Sequence, residues 1–244
     1  IYCSITGFVQ DGPRAHKPGY DFMIQGMSGI MDITGEPEGM PQKVGVAFAD
    51  IFTGLYGVIG IQAALAQRER TGLGQHVDMA LFDCMLAAQA NQNLNYLSTG
   101  ESPKRMGNAH PSIVPYQVFP VIDGHIVIAC GNNRQFHNLA QALGRPDWID
   151  NPVFADNMTR ISNRTEVVSQ ITKQLSTLTK LEVLTSLEAA GVPSGPINTV
   201  AEALEDPQTL YREMRITPEG IPGVRTPIKF SKSSLKLKRA APGL

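Results

Sequence analysis

The chain has 244 residues, 42% of them hydrophobic and 18% charged, with a formal net charge of −1 at pH 7. That composition suffices to bury a core in one large domain or two smaller ones. The near-neutral balance gives no electrostatic reason to expect nucleic acid or a membrane surface as partner, while a small anionic ligand in a local Lys/Arg pocket stays compatible with it.

Ile1-Tyr2-Cys3-Ser4-Ile5 reads as a strand already under way, so the chain is expected to be a fragment lacking an N-terminal part, or numbered from an internal point. Gly7 to Lys17 is a polar loop punctuated by Gly and Pro. Tyr20 to Ile33 carries apolar residues at Phe22, Met23, Met27, Ile30 and Met31, a helical pattern that the turn residues 34–39 interrupt. Val44 to Phe48 is short, apolar and extended, and Asp50 then opens the strongest helical segment, Ile51 to Arg70. That segment is apolar nearly all round, which predicts deep burial. Its apolar run falls short of the roughly 20 residues that span a bilayer. Arg68 and Arg70 complement the negative end of the helix dipole, and Thr71-Gly72-Leu73-Gly74 ends it. Gln75–Met79 reads as a strand and Ala80–Leu97 as an amphipathic helix.

Strand, helix, strand, helix predicts an α/β domain with a mainly parallel sheet over residues 1–97. Residues 98–115 form a polar linker. A smaller domain is expected over roughly 111–205, with two strands in Tyr116–Cys130 around the turn Ile122-Asp123-Gly124-His125. Its helices are expected at Phe136–Leu143, Arg164–Leu178 and Lys180–Ala190. Residues 206–244 are loop-rich, with Val224–Phe230 as a candidate strand, and could return to the first domain. The three cysteines, Cys3, Cys84 and Cys130, are odd in number and have no CxxC spacing. They read as reduced thiols of an intracellular, cytoplasmic protein, with an upstream targeting sequence left open.

Asp50 stands between an apolar strand and an apolar helix, where open α/β sheets present ligands. Unpaired N–H groups and the helix dipole favour its carboxylate form there. Taken by itself, such a residue is more simply explained as a plain N-cap. Gly54, Gly57 and Gly60 follow at i, i+3 and i+6, each costing about 1 kcal/mol relative to Ala. They imply close approach of a ligand or, as readily, of another element. Arg14, His16 and Lys17 make a small basic cluster, either a solvated loop or a phosphate contact. His110 lies in Gly107-Asn108-Ala109-His110-Pro111-Ser112, a loop at the domain boundary. His76, His125 and His137 have no partners at metal-ligand spacing, so no metal is expected. GxSxG, Walker A and GxGxxG patterns are absent.

The residues themselves resemble the signature of family III CoA-transferases. The match runs through Lys17-Pro18-Gly19-Tyr20-Asp21, Met27-Ser28-Gly29-Ile30-Met31, Thr34-Gly35, Val46-Ala47-Phe48-Ala49-Asp50, Thr53-Gly54-Leu55-Tyr56 and Arg70-Thr71-Gly72-Leu73-Gly74-Gln75. It continues through Ile113-Val114-Pro115-Tyr116-Gln117, Asp123-Gly124, Gly131-Asn132-Asn133 and Gly191-Val192-Pro193-Ser194-Gly195-Pro196-Ile197. The likeness is strongest to transferases of succinyl-CoA and small dicarboxylic acids, the glutarate type. It implies an α/β fold with a Rossmann-like large domain, a smaller α+β domain, and an interlocked homodimer.

The resemblance also implies a mechanism. Asp50 attacks an acyl-CoA thioester, and CoA passes to a free carboxylic acid through anhydride and aspartyl-CoA intermediates. Lys17, Tyr20 and Asp21 are the implied CoA contacts, and Arg14 of the basic cluster is grouped with them as a phosphate contact. CoA itself is substrate and product, and no cofactor is permanently bound. Gly107, Asn108 and His110 lie where formyl-CoA transferase has a glycine-rich lid, without its run of glycines. Related α-methylacyl-CoA racemases carry histidine where this chain has Tyr20, which deprives a racemase reading of its second acid/base. Racemase, and a catalytically inert CoA-binding protein, are the alternatives.

Overall fold

The computed structural model describes residues 1–242. The chain divides into two compact units, Ile1–Ser112 and the residues from Ile113 onward.

The first unit contains β1 (Tyr2–Thr6), α1 (Asp21–Ser28), α2 (Phe48–Thr71), β2 (His76–Ala80), α3 (Leu81–Ala88) and α4 (Ala90–Thr99). β1 and β2 pair in parallel, in register from Tyr2↔His76 to Thr6↔Ala80, so the expected parallel α/β connection is present. The residues of α2 that are buried are small: Ala49, Thr53, Gly57 and Ala64. Their spacing of four, four and seven draws one stripe down the helix, and Gly60 lies along it. A Cβ at Gly60 would come within 2.9 Å of Val77 Cγ1 in β2, and one at Gly57 within 3.7 Å of Ile5 Cδ1 in β1. Small side chains let this helix approach the strand pair closely.

The expected deep burial of the helix is therefore corrected. Its large apolar residues Ile51, Leu55, Val58 and Ile59 point away from the unit and are 49–62% exposed. By length and composition alone α2 is long and apolar enough to cross a bilayer, longer than the run read from the sequence. Its glycine-mediated seat on two parallel strands is that of a crossover helix.

Three further boundaries differ from expectation. Val44 to Ala47 is irregular and not a strand, because the Val44 N–H donates to the Gln25 side chain at 2.9 Å; Phe48 already belongs to α2. α1 stops at Ser28, where Gly29 adopts φ 93°. The helix expected over Ala80–Leu97 is broken at Gln89, whose buried amide donates to Ser28 O and Met85 O, and Ala90 takes φ 41°. Phe8, Ile24, Ala49, Leu81 and Met85 form this unit's core.

The second unit comprises β3 (Tyr116–Val121), β4 (Gly124–Ala129), α5 (Asn133–Ala142), α6 (Asp147–Asp150), a 3-10 turn at Pro152–Phe154, α7 (Asn157–Ser162), α8 (Arg164–Leu175) and α9 (Lys180–Ala189). Then come β5 (Ser194–Pro196), α10 (Val200–Glu205), α11 (Pro207–Tyr211), β6 (Arg215–Ile216) and β7 (Gly223–Val224). Strands β3, β4 and β5 form an antiparallel sheet in that order. Phe119, Ile126, Ile128, Phe136, Trp148, Phe154, Ile171 and Leu187 fill the core. Complete burial of each such side chain is worth roughly 1.5–3 kcal/mol. Arg160, fully buried among them, donates to Val114 O, Phe154 O and Asn133 Oδ1, and stacks 4.5 Å over Phe136. Val224–Phe230 does not form the candidate strand. Only Gly223–Val224 pairs, with Arg215–Ile216, and Pro227 has no N–H to extend the ladder.

Candidate active site

The site begins where β1 ends. The backbones of Gly7 and Gly19 touch: a Cβ at Gly7 would lie 2.6 Å from Gly19 Cα, and one at Gly19 2.3 Å from Gly7 Cα. Neither position tolerates a side chain, and this crossing fixes Lys17 to Asp21 over the exit of the strand. Gly7 O also accepts from Phe82 N–H at 3.2 Å, tying the crossing to α3. Lys17 and His16 are exposed, and Tyr20 is 77% exposed. Arg14 folds back over its own loop, its guanidinium 5.7 Å from the Phe8 ring centre and hydrogen-bonded to Met27 Sδ at 3.8 Å.

Asp21 opens α1, and its carboxylate is used inside the protein. Oδ1 accepts the Ala49 N–H of α2 at 2.8 Å, and Oδ2 accepts from Gln25 Nε2 at 2.7 Å. The N-cap residue of α2 is Ala47, which has no side chain able to cap. Asp21 supplies that cap from another helix. Asp50 is accordingly not the N-cap expected from local pattern; it is the third residue of α2. Its carboxylate is exposed, and neither that group nor its own N–H makes a hydrogen bond among the described residues.

Asp50 precedes Gly57, the residue seated against Ile5, by two helical turns, an axial distance of about 10 Å. α2 ends where the chain turns into β2, so its N-terminus lies toward the C-terminal ends of the parallel pair. One turn beyond Asp50 on the same face is Gly54, where an added Cβ would meet nothing within 4 Å.

The loop at the end of this unit is held by backbone. Gly107 N–H donates to Gly35 O at 3.0 Å with φ 58°, and Glu36 Oε2 lies 3.2 Å from where a Gly107 Cβ would be. Asn108 is exposed; His110 is half-buried, and its Nδ1 accepts from Ser112 N–H at 3.0 Å. Thus Asp21 and the first turn of α2 are bonded directly, and Gly107 is fastened to the turn after α1. Among the described residues, no three His, Cys, Asp or Glu side chains are placed to hold a metal.

Gln25 was not among the expected residues. It is fully buried, and its side chain joins Asp21, Val44 and Val46. Its signal in the sequence is the spacing Asp21, Gln25, Ser28, a polar line through an otherwise apolar helix.

The family model of CoA-transferase family III matches residues 1–244. The chain belongs to CoA-transferase family III. This family III chain is 49% identical over 249 residues to the succinate–glutarate CoA-transferase of Agrobacterium fabrum, which aligns with 100% of this chain and 62% of the relative. It is 36% identical over 246 residues to the succinyl-CoA:mesaconate CoA-transferase of Haloarcula hispanica, with 99% and 61% covered. The crystal structure of a CAIB/BAIF family protein from Brucella suis superposes with a TM-score of 0.86 at 56% identity, covering 100% of this chain and 65% of that one. The chain spans about three-fifths of the length of these relatives.

Proposed function

We propose that this chain carries the nucleophile of a CoA-transferase, that Asp50 is the attacking carboxylate, and that CoA moves from a succinyl-CoA-like donor to a small carboxylic acid. The observation that carries this reading is an exposed, unbonded carboxylate in the first turn of a helix whose N-terminus is capped from outside by Asp21. An attacker needs free lone pairs, and the capping work has been taken over by another residue.

The steps are those that the resemblance to the family implies, and an unbonded carboxylate at position 50 is compatible with them. Asp50 Oδ adds to the thioester carbonyl and the C–S bond breaks, giving a mixed anhydride and CoA thiolate. The thiolate attacks the Asp50 carbonyl, releasing the donor acid as carboxylate and leaving an aspartyl-CoA thioester. The acceptor carboxylate attacks that thioester and expels the thiolate. Thiolate attack on the acceptor carbonyl of the new anhydride then frees acceptor-CoA and Asp50. Each step exchanges one anion for another, so no proton transfer is required. What each step needs is a donor for the tetrahedral oxyanion, and the unpaired Asp50 N–H is a candidate.

Lys17, Tyr20 and Arg14 form the exposed edge we assign to CoA, with Lys17 on its phosphates. Asp21 would meet CoA only around the two hydrogen bonds it already makes. Gly107, Asn108 and His110 border the substrate. CoA is substrate and product, with no resident cofactor. The names of the relatives support a small dicarboxylic acid as partner acid. The reading extends to a cytoplasmic homodimer with a Rossmann-like large domain, without nucleic-acid or membrane partners.

Replacing Asp50 by Asn in the full-length protein tests it. Transfer from succinyl-CoA to glutarate should fall at least about a thousandfold, the scale expected when a covalent nucleophile is removed. Hydroxylamine during turnover should leave a hydroxamate on Asp50 of the parent. Transfer that survives the substitution, or α-proton exchange of a 2-methylacyl-CoA without an acceptor acid, would overturn the proposal.

A further inference from the structure

We propose that Gln25 is a positioning residue for the transferase reaction, acting through Asp21 and the segment 44–47 to present the first turn of α2. The inference rests on the assignment of Asp50 as nucleophile.

Gln25 is a fully buried amide on α1, an expensive residue to place there unless its hydrogen bonds are made. All of its polar groups are used. Oε1 accepts Val44 N–H at 2.9 Å, and Nε2 donates to Asp21 Oδ2 at 2.7 Å and to Val46 O at 3.4 Å. Two of these bonds hold the irregular chain that leads into α2. The third orients the Asp21 carboxylate so that its other oxygen caps Ala49, one residue before Asp50. A single side chain therefore sets both the approach of the backbone and the cap of the helix whose first turn carries the nucleophile. Nothing about stability alone requires this arrangement, since an apolar residue at 25 with a conventional Ser or Asp at position 47 would satisfy the same helix. Capping from α1 instead leaves Ala47 small and the helix mouth uncluttered beside Asp50.

The test exploits the direction of the Gln25–Asp21 bond. Gln25→Glu keeps the volume and the acceptor for Val44, gives up the long 3.4 Å donation to Val46 O in the single and double variants alike, and sets a carboxylate against that of Asp21. Gln25→Glu combined with Asp21→Asn restores a donor–acceptor pair in the reverse sense, leaves one oxygen of residue 21 for the Ala49 N–H, and preserves net charge. The titratable groups near these positions on the segments packed against α1 are Lys43, whose Nζ is 3.4 Å from Val44 O, Asp50 in the first turn of α2, and Asp83 with the thiol of Cys84 on α3. These are the same in all variants.

In the full-length protein, Gln25→Glu should lower kcat about tenfold or more at pH 8, with the KM for succinyl-CoA within about threefold. As pH falls toward 5.5 the opposed carboxylates come to share a proton and re-form the bond, so the ratio of variant to parent kcat should rise. The double variant should recover most of the loss at pH 8 and show the parent's pH profile. A kcat unchanged by Gln25→Glu, a ratio that does not move with pH, or a folded double variant no better than the single one overturns the inference. If Gln25→Glu alone fails to fold, the kcat of the double variant decides. Loss of the Asp50 assignment would appear separately, as transfer surviving Asp50→Asn.

Discussion

Gly54→Ala is the substitution on which packing and function make opposite predictions. Three glycines lie in α2, and in a helix interior each is roughly 1 kcal/mol less favourable than alanine. Their surroundings differ. At Gly60 a Cβ would stand 2.9 Å from Val77 Cγ1, at Gly57 it would make an ordinary 3.7 Å contact with Ile5 Cδ1, and at Gly54 it would meet nothing within 4 Å. If glycine served only helix packing, position 60 would need it and position 54 would not. Gly54→Ala should therefore stabilise the full-length protein by about 0.5–1 kcal/mol. Gly60→Ala should gain nothing or lose about 1 kcal/mol, because Val77 must shift to admit the methyl group. A residue that gives up stability with no internal neighbour to justify it is best explained by something outside the unit that comes close. Gly54 shares a helix face with Asp50, and under the mechanism proposed above the acyl group reaches Asp50 over that face. Gly54→Ala should then raise the KM for acyl-CoA several-fold, and Gly54→Leu far more, while both fold. Urea denaturation followed by circular dichroism gives the stability order, and initial rates with succinyl-CoA give the kinetics. Destabilisation by Gly54→Ala of more than about 1 kcal/mol would mean the position is packed. Stabilisation with unchanged kinetics would mean that no ligand passes there. Either result refutes the reasoning.

Two further predictions concern the second unit and the buried thiols. Thr179 and Thr199 each cap a helix in a reciprocal box with Glu182 and Glu202. Backbone N–H groups and then the threonine hydroxyls hold both carboxyls below their usual range, and the backbone N–H of Thr159 does the same for Asp156. A folded-state value below the unfolded one stabilises above the ordinary carboxylate range, and that contribution is lost as pH falls through the depressed values. The urea midpoint should fall between pH 5.5 and 3, and Glu182→Gln with Glu202→Gln should flatten that fall; an unchanged slope would refute the assignment. Burial pushes the Cys130 thiol up to about 12, against the opposing charge of Arg160, and burial also raises Cys84. At pH 8 neither offers appreciable thiolate in the native state. Iodoacetamide should label Cys130 only as urea opens the second unit, read by peptide mass; rapid native labelling would contradict the burial.

The sequence pattern located elements well where the signal is local. The hairpin around Asp123-Gly124 appears where its turn residues require it, pairing Val121 with Gly124. The crossover between β1 and β2 follows from strand and helix order. What pattern could not reveal is which side of α2 faces inward. Counting apolar residues treats Ile, Leu, Gly and Ala as one class, and by that count the helix had no outside. Distance of approach decides instead. A helix seated on a strand pair at Gly60 has no room for large side chains on that stripe, so the isoleucines and leucines turn outward. Capping fails to be legible for a related reason. The rule that Asp begins helices is local, and it assigned Asp50 the work that Asp21 performs from 28 residues before Ala49. Once that work is done elsewhere, an aspartate in the first turn has no structural duty left. The sequence holds a trace of this: an alanine where the cap should be, an aspartate and a buried glutamine one turn apart on a separate helix, and a second aspartate three residues after the alanine. Read together, they mark a helix N-terminus whose own carboxylate is left exposed and unbonded, which is the state the proposed nucleophile needs.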